Sequence, residues 1–80
     1  MKIEILATAK KVSLLRELKE GDVFIPSRVL PQDAVKQQEV HMRFYSIAVS
    51  WENLNLLTGQ AHKLDPDFRV LKVKKYRIIN

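Results

Sequence analysis

The chain contains no cysteine, which rules out a disulfide framework, a thiolate zinc site and an iron–sulfur cluster. That composition suits a reducing interior, and a cytoplasmic location is expected. Glycine is almost missing: Gly21 and Gly59 stand alone, and two isolated glycines cannot build a phosphate-cradling loop. Histidine is equally sparse. His41 and His62 are twenty-one residues apart, with no second ligand near either at metal spacing. Apolar runs are short. Phe44 to Trp51 falls well below the roughly 20 residues that a bilayer crossing needs, so no membrane segment is expected. The opening MKIEILATAKK does not read as a signal peptide, because Glu4 interrupts its brief apolar stretch.

What remains is a chain of 80 residues with a net charge of +5. This length makes one domain, residues 1–80, with no room for a second core. A domain of this size buries only about 60% of the surface its unfolded chain exposes, so its stability is marginal. The charge is unevenly placed. From residue 60 onward stand Lys63, Arg69, Lys72, Lys74, Lys75 and Arg77 against only Asp65 and Asp67. Such a basic end permits an acidic partner without requiring one.

Periodicity points to a mainly β protein. Lys2 to Ala7 alternates loosely, with Ile3 and Ile5 on one face, and reads as a strand. Leu14, Leu15 and Leu18 have helical spacing, with Ser13 suited to the N-cap and Gly21 to the position after the last turn, so one short helix is expected over residues 13–20. Asp22 to Ile25 reads as a strand stopping at Pro26. From Pro26 to Gln38 the pattern fits either a turn and a half of helix starting near Pro31 or a long exposed loop. The loop is preferred, since so short and polar a helix has little face with which to dock. From Glu39 the chain is extended, with Val40, Met42 and Phe44 on one side and His41, Arg43 and Tyr45 on the other, continuing through Trp51. Asn53 to Leu57 is a further strand. Thr58-Gly59 predicts a tight hairpin to Gln60–Leu64, and Asp65-Pro66-Asp67 predicts a second turn closed by the Asp65 side chain.

In the last strand, Phe68 to Ile79, neither phase is purely apolar. A bulge near Lys74 would bring Leu71, Val73, Tyr76 and Ile78 to one side and leave the lysines in solvent. Of the aromatic residues, Phe24, Phe44 and Phe68 are expected in the core, with Trp51 plugging one end of the fold.

Leu15-x-x-Leu18-x-x-Gly21-Asp22-x-Phe24, with Asn55-Leu56-x-Thr58-Gly59 and Leu64-Asp65-Pro66-Asp67-x-x-Val70 further on, resembles short proteins encoded by bacteriophages. The likeness covers about half the chain, residues 14–25 and 53–73. It implies a single small bent β-barrel or roll of five to six antiparallel strands, of Src-homology or KOW type, and a viral origin acting in the host cytoplasm. It brings no active site. The N-terminal strand and the basic extension after Val73 depart from the pattern, and the middle of the chain between the two matching stretches has no counterpart in it.

For function, enzyme chemistry finds little support. Ser46, Ser50 and Thr58 have no base at recognisable spacing, and Pro66 between Asp65 and Asp67 marks a turn more than a paired-carboxylate site. No catalytic residue, cofactor or metal is assigned. Two binding functions remain. In the first, the protein is an accessory module contacting a host or viral protein, with Val29, Leu30 and Val35 as an apolar contact patch; the bland counterpart is that Leu30 and Val35 fold over one end of the barrel. Self-association into a homodimer through an edge strand belongs to the same class. In the second, Lys63, Lys72, Lys74, Lys75, Tyr76 and Arg77 contact nucleic acid, with help from Arg43 and Tyr45. Against it stands the use of lysines to keep a sheet edge from pairing with other chains.

Overall fold

The computed structural model describes residues 2–46 and 50–79, the side chains of Ser46, Ser50 and Trp51 excepted. The expected plug at Trp51 lies outside the described side chains. The strands are β1 (Lys2–Thr8), β2 (Ser13–Leu14), β3 (Val23–Pro26), β4 (His41–Ser46), β5 (Ser50–Asn55), β6 (Ala61–His62) and β7 (Arg69–Ile79). They form one antiparallel sheet in the order β1-β7-β3-β4-β5-β6, with β2 also paired to β7. The architecture is mainly β, as expected, and it is an open roll and not a closed barrel.

β3 explains the two-sided core. All four of its residues are buried, so the strand has no polar phase, as for a strand covered on both faces. Val23 and Ile25 join Ile3, Val29, Ala34, Val40 and Val73 on one side of the sheet. Phe24 packs with Leu15, Leu18 and Val70 on the other. Phe24 is fully buried and Phe68, half-buried, packs against the second cluster, both as expected; Phe44 is half-buried and, among the described residues, joins neither cluster, a correction to its expected place in the core.

The helical stretch expected at residues 13–20 contracts to a single 3-10 turn, Leu15–Glu17. Ser13 does not cap it: Ser13 and Leu14 pair as a strand with Val70 and Arg69. The Leu14 amide instead donates to Glu17 Oε1 at 2.7 Å. Side chains three apart eclipse in a 3-10 turn, which is how Leu15 and Leu18 both reach the second cluster. Gly21, at φ +89°, swings the chain into β3, where its amide donates to the Arg43 carbonyl. Few residues other than glycine hold that backbone cheaply.

Between Pro26 and Gln38 the preferred exposed loop is corrected. Pro31–Ala34 forms one α-helical turn, α1, with Pro31 at the first position, where a missing N–H costs nothing. Ala34 is fully buried and Val29 is 5% exposed, so a small apolar face does dock. The Thr58-Gly59 hairpin is wider than two residues, because β5 ends at Asn55 and β6 begins at Ala61. Asp65-Pro66-Asp67 is a turn as expected: the Asp67 amide donates to Asp65 Oδ1 at 2.8 Å. Ser46 pairs with Ser50, so the extended run read through to Trp51 is two strands.

Candidate functional site

The sequence places an apolar phase, Val40-Met42-Phe44, beside a polar one, His41-Arg43-Tyr45. In the fold His41 and Arg43 are as buried as a core, at 6% and 5% exposed. Their cross-strand partners are Asn55 and Asn53, also buried, and residues opposite one another on paired strands share a face. This polar row lies on the side of Phe24, whose ring stacks on His41 at 5.3 Å. Three of its members, Arg43, Asn53 and Asn55, hold backbone. Arg43 Nη1 donates to the Leu15 carbonyl at 2.7 Å and so closes the 3-10 turn. Asn55 Nδ2 donates to the Gln38 carbonyl at 2.8 Å, while its Oδ1 accepts from the Leu57 and Thr58 amides. Burial draws the Arg43 guanidinium below its ordinary pKa.

Beside this row opens a cleft of about 420 Å³ whose lining includes Pro26, Arg28, Glu39, His41, His62 and Phe68. The Arg28 guanidinium lies 6.0 Å above the Phe68 ring and 3.5 Å from Glu39 Oε2. Glu39 Oε2 is also 3.9 Å from His41 Nε2. Burial lowers the His41 pKa, and Glu39 opposes that shift in part. The cleft presents a balanced charge pair and a neutral imidazole. Its lining holds no serine, threonine or cysteine to serve as a nucleophile. Among the described residues, no three His, Cys, Asp or Glu side chains converge to hold a metal.

The three residues read as a protein-contact patch do not form one. Val29 is buried, Val35 packs against the first cluster, and Leu30 alone is exposed, at 57%. The physical reason is the turn closed by the Val29 amide on the Pro26 carbonyl, followed by α1, which together bring Val29 and Ala34 inward and give Val35 a core to join.

The six residues read as a nucleic-acid contact are dispersed. Lys72 is 3.6 Å from Asp22, and Arg77 is 3.0 Å from Glu4. Lys63 lies exposed beyond β6, at the far end of the strand order from β1 and β7. Lys74, Lys75 and Tyr76 are exposed, and the lysines make no ion pair among the described residues. The register of β7 against β1 shifts between Ile5 and Thr8, so that Ala7 meets Lys75 and Thr8 meets Val73. Lys74 is the extra residue on β7. This is the expected bulge; Leu6 is likewise the extra residue on β1, and the two shifts offset, so that Tyr76 lies opposite Ile5 and Ile78 opposite Ile3. The phase change brings Tyr76 and Ile78 to the core side of the sheet without burying them: they remain 38% and 51% exposed.

The cause lies in strand lengths. β3 pairs with β7 only as far as Val73, and from there to Ile79 the sole described strand neighbour of β7 is β1. The pair forms a two-stranded arm that outruns the rest of the sheet. By register, one face of the arm carries Ile3, Ile5, Tyr76 and Ile78, and the other Lys2, Glu4, Ala7, Lys75, Arg77 and Ile79. Sequence reasoning located the bulge but not the arm, because nothing in residues 74–79 states where β3 stops. Compared with known proteins, the chain matches no family model, no curated protein and no solved structure.

Proposed function

We propose that this chain is a non-enzymatic binding module, of the accessory type found among phage proteins, that contacts a host or viral protein through the β1/β7 arm. The observation that supports this reading is the exposure of Tyr76 and Ile78 on the arm's core-side face. Two large apolar side chains in register, continuing the row begun by Ile3 and Ile5, suit a partner that completes the burial. The contact surface is therefore the arm and not the Val29–Val35 segment.

Nucleic-acid binding draws on exposed Lys74 and Lys75, but the arm serves it poorly. Tyr76 stands on the face opposite Lys75 and Arg77, so stacking on its ring and phosphate contact with those cations call on different sides of the sheet. Lys72 and Arg77 already face carboxylates. The test is affinity capture from host lysate with wild type, Tyr76→Ser/Ile78→Ser and Lys74→Ala/Lys75→Ala, beside polarisation binding of labelled oligonucleotides. A protein retained by wild type and lost with the apolar pair removed is the expected result. Salt-sensitive oligonucleotide binding abolished by the lysine pair would instead make the arm a nucleic-acid surface.

A further inference from the structure

The arm's free edge carries enough information to name the chemistry of what it binds. Every residue from Lys74 to Ile79 is exposed, and on the side away from β1 no described strand pairs with them. A strand edge left open in this way is a template for a further strand. Its two faces differ. Tyr76 and Ile78 offer apolar surface on the core side. Lys75 offers positive charge on the other, where Arg77 already faces Glu4, and across from Lys75 on β1 stands Ala7, which supplies no counter-charge.

We infer that the arm binds an extended peptide segment of alternating apolar and acidic residues, added as a strand along Lys74–Ile79. This rests on the reading of the arm as a protein-contact surface and specifies its partner. Side chains directly opposite one another across paired strands share a face. An acid opposite Lys75 meets a cation whose other neighbour is neutral, and apolar residues opposite Tyr76 and Ile78 extend the Ile5 and Ile3 rows. A second copy of this chain fits badly on the same edge. Antiparallel self-pairing centred on Lys75, Tyr76 or Arg77 sets Lys75 against Lys75, Lys75 against Arg77, or Arg77 against Arg77, and like charges directly opposite are destabilising. The same cations keep the edge from self-aggregation while leaving it open to an acidic strand.

The experiment uses fluorescein-labelled synthetic peptides on the full chain at low and moderate salt. One peptide alternates glutamate and valine, and a second has the same composition in two blocks. Two further versions of the first carry N-methyl groups on alternate residues, one on the odd set and one on the even. The alternating peptide is expected to bind about tenfold more tightly than the blocked one, on the scale of two or three cross-strand pairs. It should weaken with Lys75→Ala and with Tyr76→Ser/Ile78→Ser, whose positions are exposed and do not threaten folding. One N-methylated version should lose binding and the other keep it, because only one edge of an added strand faces β7. Equal binding of alternating and blocked peptides, survival of both N-methylated versions, or no binding at millimolar peptide would overturn the inference. In those cases a lysate partner that still depends on Tyr76 and Ile78 would leave the protein-contact reading standing. Loss of that partner as well would remove both.

Discussion

Replacing Asn55 with alanine tests how the open end of the roll is held. The Asn55 amide is a hub for two separate segments. Its Oδ1 accepts from the Leu57 amide at 2.9 Å and the Thr58 amide at 3.2 Å, shaping the loop to β6. Its Nδ2 donates at 2.8 Å to the carbonyl of Gln38, which sits at φ 57°. Alanine removes all three bonds and strands three backbone groups that are only partly wet. At a net worth of about 0.5–1.5 kcal/mol per hydrogen bond, with one of the three long, the loss comes to about 2–3 kcal/mol. A chain of this length is stable by about 4–12 kcal/mol, so the loss is a large share. For a domain this small each kcal/mol moves the melting temperature by about 4–8 °C, and a drop of about 10–20 °C should follow. Asn55→Asp tests the donor role. A carboxylate still accepts from Leu57 and Thr58 but sets a charged oxygen against the Gln38 carbonyl in a buried site, so it should cost at least as much as alanine at neutral pH. Urea and thermal unfolding followed by circular dichroism measure both variants. Alanine within about 0.5 kcal/mol of wild type, or aspartate clearly milder than alanine, would refute the account of Asn55 as a two-sided clamp.

Three further outcomes follow from the same structure. Phe24→Ala empties the centre of the second cluster and removes the His41 stack, so it should cost about 3–5 kcal/mol in urea unfolding and leave the domain near its stability limit, while Phe24→Leu should lose far less. Gly21→Ala meets no atom within 4 Å, so its penalty is the positive φ alone, about 1–2 kcal/mol; a loss below about 0.5 kcal/mol would mean that the turn into β3 rearranges freely. His41 is held neutral because burial lowers its pKa below 6.5, so the unfolded chain binds its proton first. Stability should therefore be full above pH 6.5 and fall as pH drops from there toward the folded-state pKa, with a slope of at most about 1.4 kcal/mol per pH unit from this group. Urea midpoints between pH 5 and 8 measure it, and a His41→Phe variant should flatten the profile.

Much of the fold was legible from local pattern. Ile3 and Ile5 alternate as a strand should, Asp22 to Ile25 reads as a strand stopped by Pro26, and Asp65-Pro66-Asp67 carries its own turn chemistry. Even the bulge at Lys74 follows from period, since without it neither phase of the last strand can be apolar. Other elements were misread for definite reasons. Leu15 and Leu18 are spaced for both an α-helix and a 3-10 turn, and the choice falls to the pairing of Ser13 and Leu14 with β7. Pro31–Ala34 is too short to signal itself, and is held by the burial of Val29 and Ala34 against strands far away in sequence. The reversal between Ser46 and Ser50 has no glycine or proline to mark it.

By itself, then, the sequence determined a small, mainly antiparallel fold without thiol chemistry, with its positive charge gathered toward the last residues. Those properties depend on composition and on neighbours a few residues apart. Tertiary structure alone decided that His41, Arg43, Asn53 and Asn55 form a buried row, because burial of a polar side chain depends on what packs across it and on whether its hydrogen bonds are met there. It also decided the fate of the basic end. Lys72 and Arg77 found carboxylates on Asp22 and Glu4, while β3 ended level with Val73 and left Lys75, Tyr76 and Ile78 on an edge that no described strand pairs. Where a neighbouring strand stops is a property of the whole sheet, and no stretch of β7 encodes it.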